Sequence, residues 1–359
     1  MVNDQMAKTS MDNTQDQVKP MVKPAADPTE SLEKTGEDKP DIRKKPDPEQ
    51  SLEENNDKPD IRKPADPEKS LVESPVFEKA LLWEITGNGL KESSFLYGTI
   101  HLIDAESFFW PENTISSYEQ TEKIAFEIDL DEMNNIGNLF GMMSKVMMND
   151  GMTLKKLLSE EDYALVNNHF KDMGLPMFML EKMKPMFLTV FAETDIDMSG
   201  GMGNLESSGS KSYEMEFYEL AQADEKEVFG LETMDDQISL FDSIPYKDQA
   251  VMLVETIKAS GEEMPEGEMS EMDKITEMYV QQDINAMVGS IEEEGSEFAG
   301  YEDLFLHNRN KNWIPRMTEF MNDSRTFFAV GAGHLGGRLG VIQLLLDEGY
   351  TVTPISQKK

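Results

Sequence analysis

Six apolar runs of strand length constrain the fold of this 359-residue chain more than any other feature. They are Ala80–Thr86 (ALLWEIT), Ser94–His101 (SFLYGTIH), Lys123–Asp129 (KIAFEID), Glu227–Glu232 (EVFGLE), Arg325–Val330 (RTFFAV) and Tyr350–Ile355 (YTVTPI). Short apolar runs of this kind, bounded by turn residues, read as strands. A polar loop containing Asn88-Gly89 joins the first two. Helical patterns fall between the others, over Ser212–Ala223, Asp235–Ser260, a stretch after the acidic loop Gly261–Glu268, Trp313–Met321 and Leu339–Glu348, where Gly349 provides a C-cap. Ile136–Thr194 is a long helical insertion rich in methionine (Met142, Met143, Met147, Met148, Met152), and a methionine stripe at helical spacing reads as adaptable core. Strands alternating with helices predict an α/β domain with a mixed central sheet flanked by helices.

Residues 1–75 belong to a different class. They are rich in Pro, Asp, Glu and Lys, and they repeat with a period of about 20 residues. Asp-Pro recurs at Asp27-Pro28, Asp47-Pro48 and Asp66-Pro67, and Lys-Pro-Asp-Ile-Arg-Lys occurs at Lys39–Lys44 and again at Lys58–Lys63. Each copy holds too few apolar positions to stack as a solenoid, so a disordered tether is expected, with one folded domain over 76–359.

Charge and composition narrow the function. Residues 1–71 hold 12 Lys/Arg against 17 Asp/Glu, a net of −5, so −32 of the total −37 belongs to the folded part. Such a surface repels phosphate backbones and argues against nucleic-acid binding. Cysteine is absent, which removes disulfides and thiolate chemistry. No apolar run reaches the length of a transmembrane helix. The first residues lack the basic and apolar regions of a secretory signal, so the expected compartment is the cytoplasm, or the cell envelope if a leader has been removed.

Two of the four histidines share a context. His101 and His334 each close a Gly-x-x-His motif at the end of an apolar strand and precede a leucine. Strand ends are where α/β folds build sites. Two neutral imidazoles and a carboxylate form an open site for a divalent transition metal such as zinc, manganese or cobalt. Glu127, inside the apolar run Ile124–Ile128, is the natural third member, because an ionised carboxylate there is costly unless paired. His169 and His307 sit in polar surroundings and read as surface histidines. Gly331, Gly333 and Gly336 also spell the dinucleotide fingerprint, but only 23 residues follow, too few for further βα units. Arg309 reads either as a salt-bridge partner on this very acidic protein or as a cation that stabilises developing negative charge. No Gly-x-Ser-x-Gly elbow or Walker loop is present.

From Leu81 to Ile355 the pattern resembles the TraB/PrgY/GumN family, relatives of the Tiki metalloproteases. The resemblance is carried by Gly98-Thr99-Ile100-His101, Glu127 in its strand, Lys184-Pro185, Gly230-Leu231-Glu232-Thr233 with Gln237, Arg309-Asn310 with Trp313, and Gly331-Ala332-Gly333-His334. The chain departs from it where a Gly-x-Asp signal is usual; here it reads Gly209-Ser210-Lys211-Ser212-Tyr213. The resemblance implies a metal-dependent hydrolase of peptidase type. His101 and His334 would be metal ligands, and Glu127 a ligand or general base. Arg309 would stabilise the oxyanion. Glu232 and Asn310 would support the ligands from outside, with Glu232 a further ligand as the other option. The substrate would be a peptide or small molecule. The alternative is a non-catalytic peptide- or haem-binding module on the same fold.

Overall fold

A computed structural model describes residues 74–133, 141, 144–192, 209–261, 269–293 and 300–355. The tether expected over 1–75 lies outside these residues except for its last two. Met142, Met143 and nearly all of the acidic loop also lie outside them.

The six apolar runs become one sheet. Its strands are β1 (Leu82–Gly87), β2 (Ser94–Thr99), β4 (Lys123–Ile128), β6 (Glu227–Glu232), β7 (Thr326–Gly331) and β8 (Tyr350–Pro354), in the order β6-β4-β7-β2-β1-β8. β6, β4, β7 and β2 run parallel; β1 and β8 add antiparallel strands at one edge. The sheet is therefore mixed. Its parallel half follows from the helical segments that separate those strands, since parallel neighbours need a crossover. Central strands covered on both faces should be apolar throughout, and all of Ser94–Thr99 is buried, as is Thr326–Val330.

Two short strands were not evident in the sequence. β3 (Ile103–Asp104) pairs antiparallel with β5 (Ser210–Lys211), forming a separate two-stranded ladder.

The main core joins both sheet faces to the surrounding helices. Tyr97, Phe217 and Phe327 meet with ring centroids 5.0–6.2 Å apart, and Trp313, Met317 and Leu345 are fully buried. The insertion after β4 has its own core, with Leu154, Val166, Phe170 and Leu188 packed on Leu253 of the helix Tyr246–Gly261. The helical stretch expected over Asp235–Ser260 is two helices, Met234–Asp242 and Tyr246–Gly261. Pro245 lies between them, and a proline disfavours helical backbone in the residue before it. Lys184 is buried and pairs with Asp242 at 2.6 Å, tying the Lys-Pro element to the first of these helices.

Asn308–Asp323 begins five residues earlier than its apolar pattern suggests. A single π-helical turn, Asp303–His307, leads into it. Among the described residues no helix is long and apolar enough to cross a membrane.

Candidate functional site

The parallel strands deliver their C-terminal ends to one edge of the sheet. Thr99 of β2 is level with Gly331 of β7, and Ile128 of β4 with Glu232 of β6. His101 follows β2, Glu127 is next to last in β4, Glu232 ends β6 and His334 follows β7. Four of the six residues singled out in the sequence thus reach one edge through strand register alone.

The other two arrive on the helix Asn308–Asp323. Arg309, Asn310, Trp313, Ile314, Met317, Phe320 and Met321 form its buried face, the three- and four-residue spacing of one helix side. Arg309 is the hub of the site. Its Nη2 donates to Glu127 Oε2 at 2.6 Å and to Glu232 Oε1 at 2.5 Å, and its Nε donates to both Glu232 oxygens at 3.0 and 3.2 Å. Nη1 donates to the Phe305 carbonyl at 3.0 Å, in the π-helical turn. The side chains of Arg309, Glu127 and Glu232 are only 8–10% exposed. The salt-bridge reading of Arg309 therefore holds, and both of its carboxylate partners are buried with it. Buried charges persist only when paired and hydrogen-bonded, and Glu127 has both, since the Gly331 N–H donates to its Oε1 at 2.8 Å. A Cβ on Gly331 would stand 3.2 Å from that oxygen, which accounts for the glycine.

Protonation follows from these contacts. Burial is the largest influence on the Glu127 carboxyl and pushes it up, but Arg309, the two histidines and the Gly331 N–H together outweigh it and hold the group ionised, well below the usual carboxylate range. Burial dominates at Glu232 and raises it despite Arg309. His334 is held neutral, with its pKa lowered to about 3 by burial. Its Nδ1 lies 2.6 Å from Asn310 Oδ1 and its Nε2 3.1 Å from Arg309 Nη1. Asn310 Oδ1 and the guanidinium N–H have fixed roles, so His334 carries its proton on Nδ1 and offers the Nε2 lone pair. Asn310 is itself fixed by the Leu339 carbonyl, 2.8 Å from Nδ2, and Trp313 Nε1 donates to Glu232 Oε2 at 3.1 Å.

His101 stands apart from this buried cluster. Its side chain is 75% exposed, and its Nδ1 lies 2.9 Å from Glu214 Oε1. The Glu214 carboxylate raises its pKa to about 9, and Glu127 contributes in the same direction. His101, Glu127 and His334 thus influence one another electrostatically. His334 Nε2 and Glu127 Oε1 are 3.7 Å apart. Among the described residues no three His, Asp or Glu side chains are assembled as a metal cage.

Two residues in contact with the site were not singled out as site residues from the sequence. Gln237 Nε2 donates to both Glu127 and Glu232 at 3.4 Å, and Glu214 meets His101. The surface expectation for His307 is corrected. It is half-buried between Asp303, at 3.0 Å, and Glu292, at 3.6 Å, on the turn that supplies the Phe305 carbonyl. The glycines of the apparent dinucleotide fingerprint serve packing: a Cβ at Gly333 would meet Ile291, and one at Gly336 would meet Ile284.

A model of the TraB/PrgY/gumN family matches residues 81–354, from the start of β1 to the end of β8. The chain belongs to this family. The match spans the whole sheet and every residue of the site. No curated protein and no solved structure matches the chain.

Proposed function

We propose that this TraB/PrgY/gumN protein is a metal-dependent hydrolase acting on a peptide or other small-molecule substrate. One observation carries the reading. Both Gly-x-x-His histidines have Nδ1 held by an acceptor on another element, Glu214 for His101 and Asn310 for His334, so Nε2 is the ring nitrogen each would turn to a metal, His334 by exchanging the Arg309 N–H it now accepts and His101 by giving up its proton. Metal-binding histidines are oriented in this way by an outer partner on the second ring nitrogen. The kinship expected between this family and the Tiki metalloproteases points the same way.

The donor set fits a borderline transition metal: two imidazole nitrogens and an ionised carboxylate. His101, His334 and Glu127 would hold it, and zinc, manganese and cobalt all suit these donors. When bound, such a metal supplies Lewis acidity and makes water ionisable near neutral pH. The protein's own groups divide the remaining work. Glu127 would be a ligand or the general base that takes a proton from attacking water. Arg309, whose five N–H groups are engaged by Glu127, Glu232, Phe305 and His334, would contribute its positive charge beside an oxygen that gains negative charge. Glu232, Trp313 and Gln237 hold Arg309 and Glu127 in register. Burial of Arg309, Glu127 and Glu232 lowers the local dielectric, which strengthens each of these interactions.

A peptide library incubated with the purified protein, with and without added zinc, manganese or cobalt, tests the activity. Cleavage that depends on the metal and stops with chelator is expected. Turnover unchanged by chelator contradicts the reading.

The position of Arg309 favours a second reading. Its guanidinium already provides a cation to Glu127 and touches the His334 lone pair, so this charge cluster is compensated without a metal. The site would then belong to a non-catalytic module that binds a peptide or haem. Ligand binding without turnover, indifferent to chelator, would support it, and a Soret band would identify the haem form.

A further inference from the structure

The geometry points to Glu214 as the residue that positions His101 for ligand binding. This assignment rests on the metal-site reading above and extends it to a residue outside the two Gly-x-x-His motifs.

Three independent attachments bring Glu214 to His101. The first is the small ladder. β3 starts two residues after His101 and β5 ends three residues before Glu214, with Ile103 opposite Lys211 and Asp104 opposite Ser210. A two-stranded ladder of two residues each contributes little stability of its own, so its evident consequence is to hold these two chain segments together. The second is the anchor of the helix Tyr213–Ala223. Tyr213 is fully buried, and its hydroxyl donates to the Phe109 carbonyl at 2.7 Å. Ser212 caps the helix and donates to Glu214 Oε2 at 2.9 Å. The third is Thr99, the buried threonine of the Gly-Thr-x-His motif. Its hydroxyl donates to Glu214 Oε1 at 2.7 Å, the same oxygen that faces His101 Nδ1 at 2.9 Å.

An acid in the first turn of a helix is commonly present for the helix dipole or the cap. Here only Oε2 serves the cap. Oε1 faces away from the helix and accepts from two donors at the end of β2. The hydroxyl of Thr99 fixes the oxygen, and the oxygen fixes the imidazole. Glu214 thereby does for His101 what Asn310 does for His334: it engages Nδ1 from another element and so turns Nε2 away from that partner, toward Arg309 in the case of His334. The carboxylate also makes the imidazole a stronger donor than an amide partner would.

The test uses the full chain with ¹⁵N-labelled histidine, of which there are four. Glu214→Ala is compared with Glu214→Gln, which keeps the shape and loses the charge. In metal-free protein, the wild type should show a downfield, exchange-protected Nδ1–H signal from His101. Glu214→Ala should lose that signal while the His334 signal stays, and Glu214→Gln should restore it in weakened form. Titration with manganese, zinc and cobalt should give affinity weakened about 10- to 100-fold in Glu214→Ala, with partial recovery in Glu214→Gln. An unchanged His101 signal in Glu214→Ala overturns the positioning role. So does unchanged affinity in a wild-type-like fold. If the wild type binds none of the three metals, the hydrolase reading fails, and the His101 signal still decides whether Glu214 orients the ring. If Glu214→Ala does not fold, Glu214→Gln alone carries the comparison: a His101 signal and a metal affinity both identical to wild type overturn the role.

Discussion

Arg309 stands between Glu127 and His334, donating from Nη2 to a Glu127 oxygen at 2.6 Å and from Nη1 toward His334 Nε2 at 3.1 Å. This contact compensates the buried Glu127 charge. The guanidinium keeps Glu127 ionised, and its N–H occupies the lone pair that a neutral His334 exposes.

Removing that guanidinium leaves two buried carboxylates without their counter-charge. Breaking one side of a buried ion pair costs about 3–5 kcal/mol, so Arg309→Met is expected to lower the unfolding free energy by about that amount in urea titration. Adding Glu127→Gln should recover part of the loss, because the uncompensated charge is then removed. A single variant as stable as the wild type would show that the pair is not buried in solution.

The two site histidines give the stability curve opposite slopes. The folded pKa of His334 is about 3, below its ordinary value of 6.5, so the unfolded chain binds the extra proton between these limits. Stability is then lost as pH falls from 6.5 toward 3. The folded pKa of His101 is about 9, so its contribution is complete below 6.5 and is lost as pH rises toward 9. Solvent screens the His101 pair, which makes the alkaline slope the shallower one. In chelator-treated protein, His334→Gln should flatten the acid side and His101→Gln the alkaline side. Thermal melts across pH 3–9 check both, and a variant with the wild-type slope on its own side refutes the corresponding assignment.

Gly98 opens the first Gly-x-x-His motif because β2 passes very close to the turn that carries His334. A Cβ there would lie 3.0 Å from Ala332 Cβ and from Leu335 Cδ2. Overpacking of this kind costs about 1–3 kcal/mol, and Gly98→Ala should lose about that much stability. Because Ala332 directly follows Gly331, whose N–H holds Glu127, the same variant should weaken metal binding. Gly89→Ala, in open space at a positive φ, is the comparison: strained locally but without effect on metal affinity.

Much of this was legible in the sequence. All six main strands lie where apolar runs end in turn residues, and strand register alone carries Glu127, Glu232 and the two histidines to one edge. Arg309 and Asn310 were visible as candidates. Their helix shows itself in the sequence only from Trp313, because Asn308–Asn312 has no apolar residue to mark the first turn. Glu214 was hidden for two reasons. One acid among 70 carries no signal, and the ladder that presents it is two residues long. Gln237 was noted as part of the family pattern, but its reach to two carboxylates depends on where its helix starts after β6. The placement of Arg309 at the His334 lone pair was equally beyond reach, because helix-to-sheet packing determines it and local pattern does not.

The central claim is that Glu127, His101 and His334 hold a divalent transition metal. Calorimetric titration of chelator-treated protein with manganese, zinc and cobalt tests it most directly, comparing wild type with the His101→Ala/His334→Ala double variant. The account predicts about one equivalent bound by the wild type and none by the double variant. Equal binding by both, or none by the wild type, would contradict it.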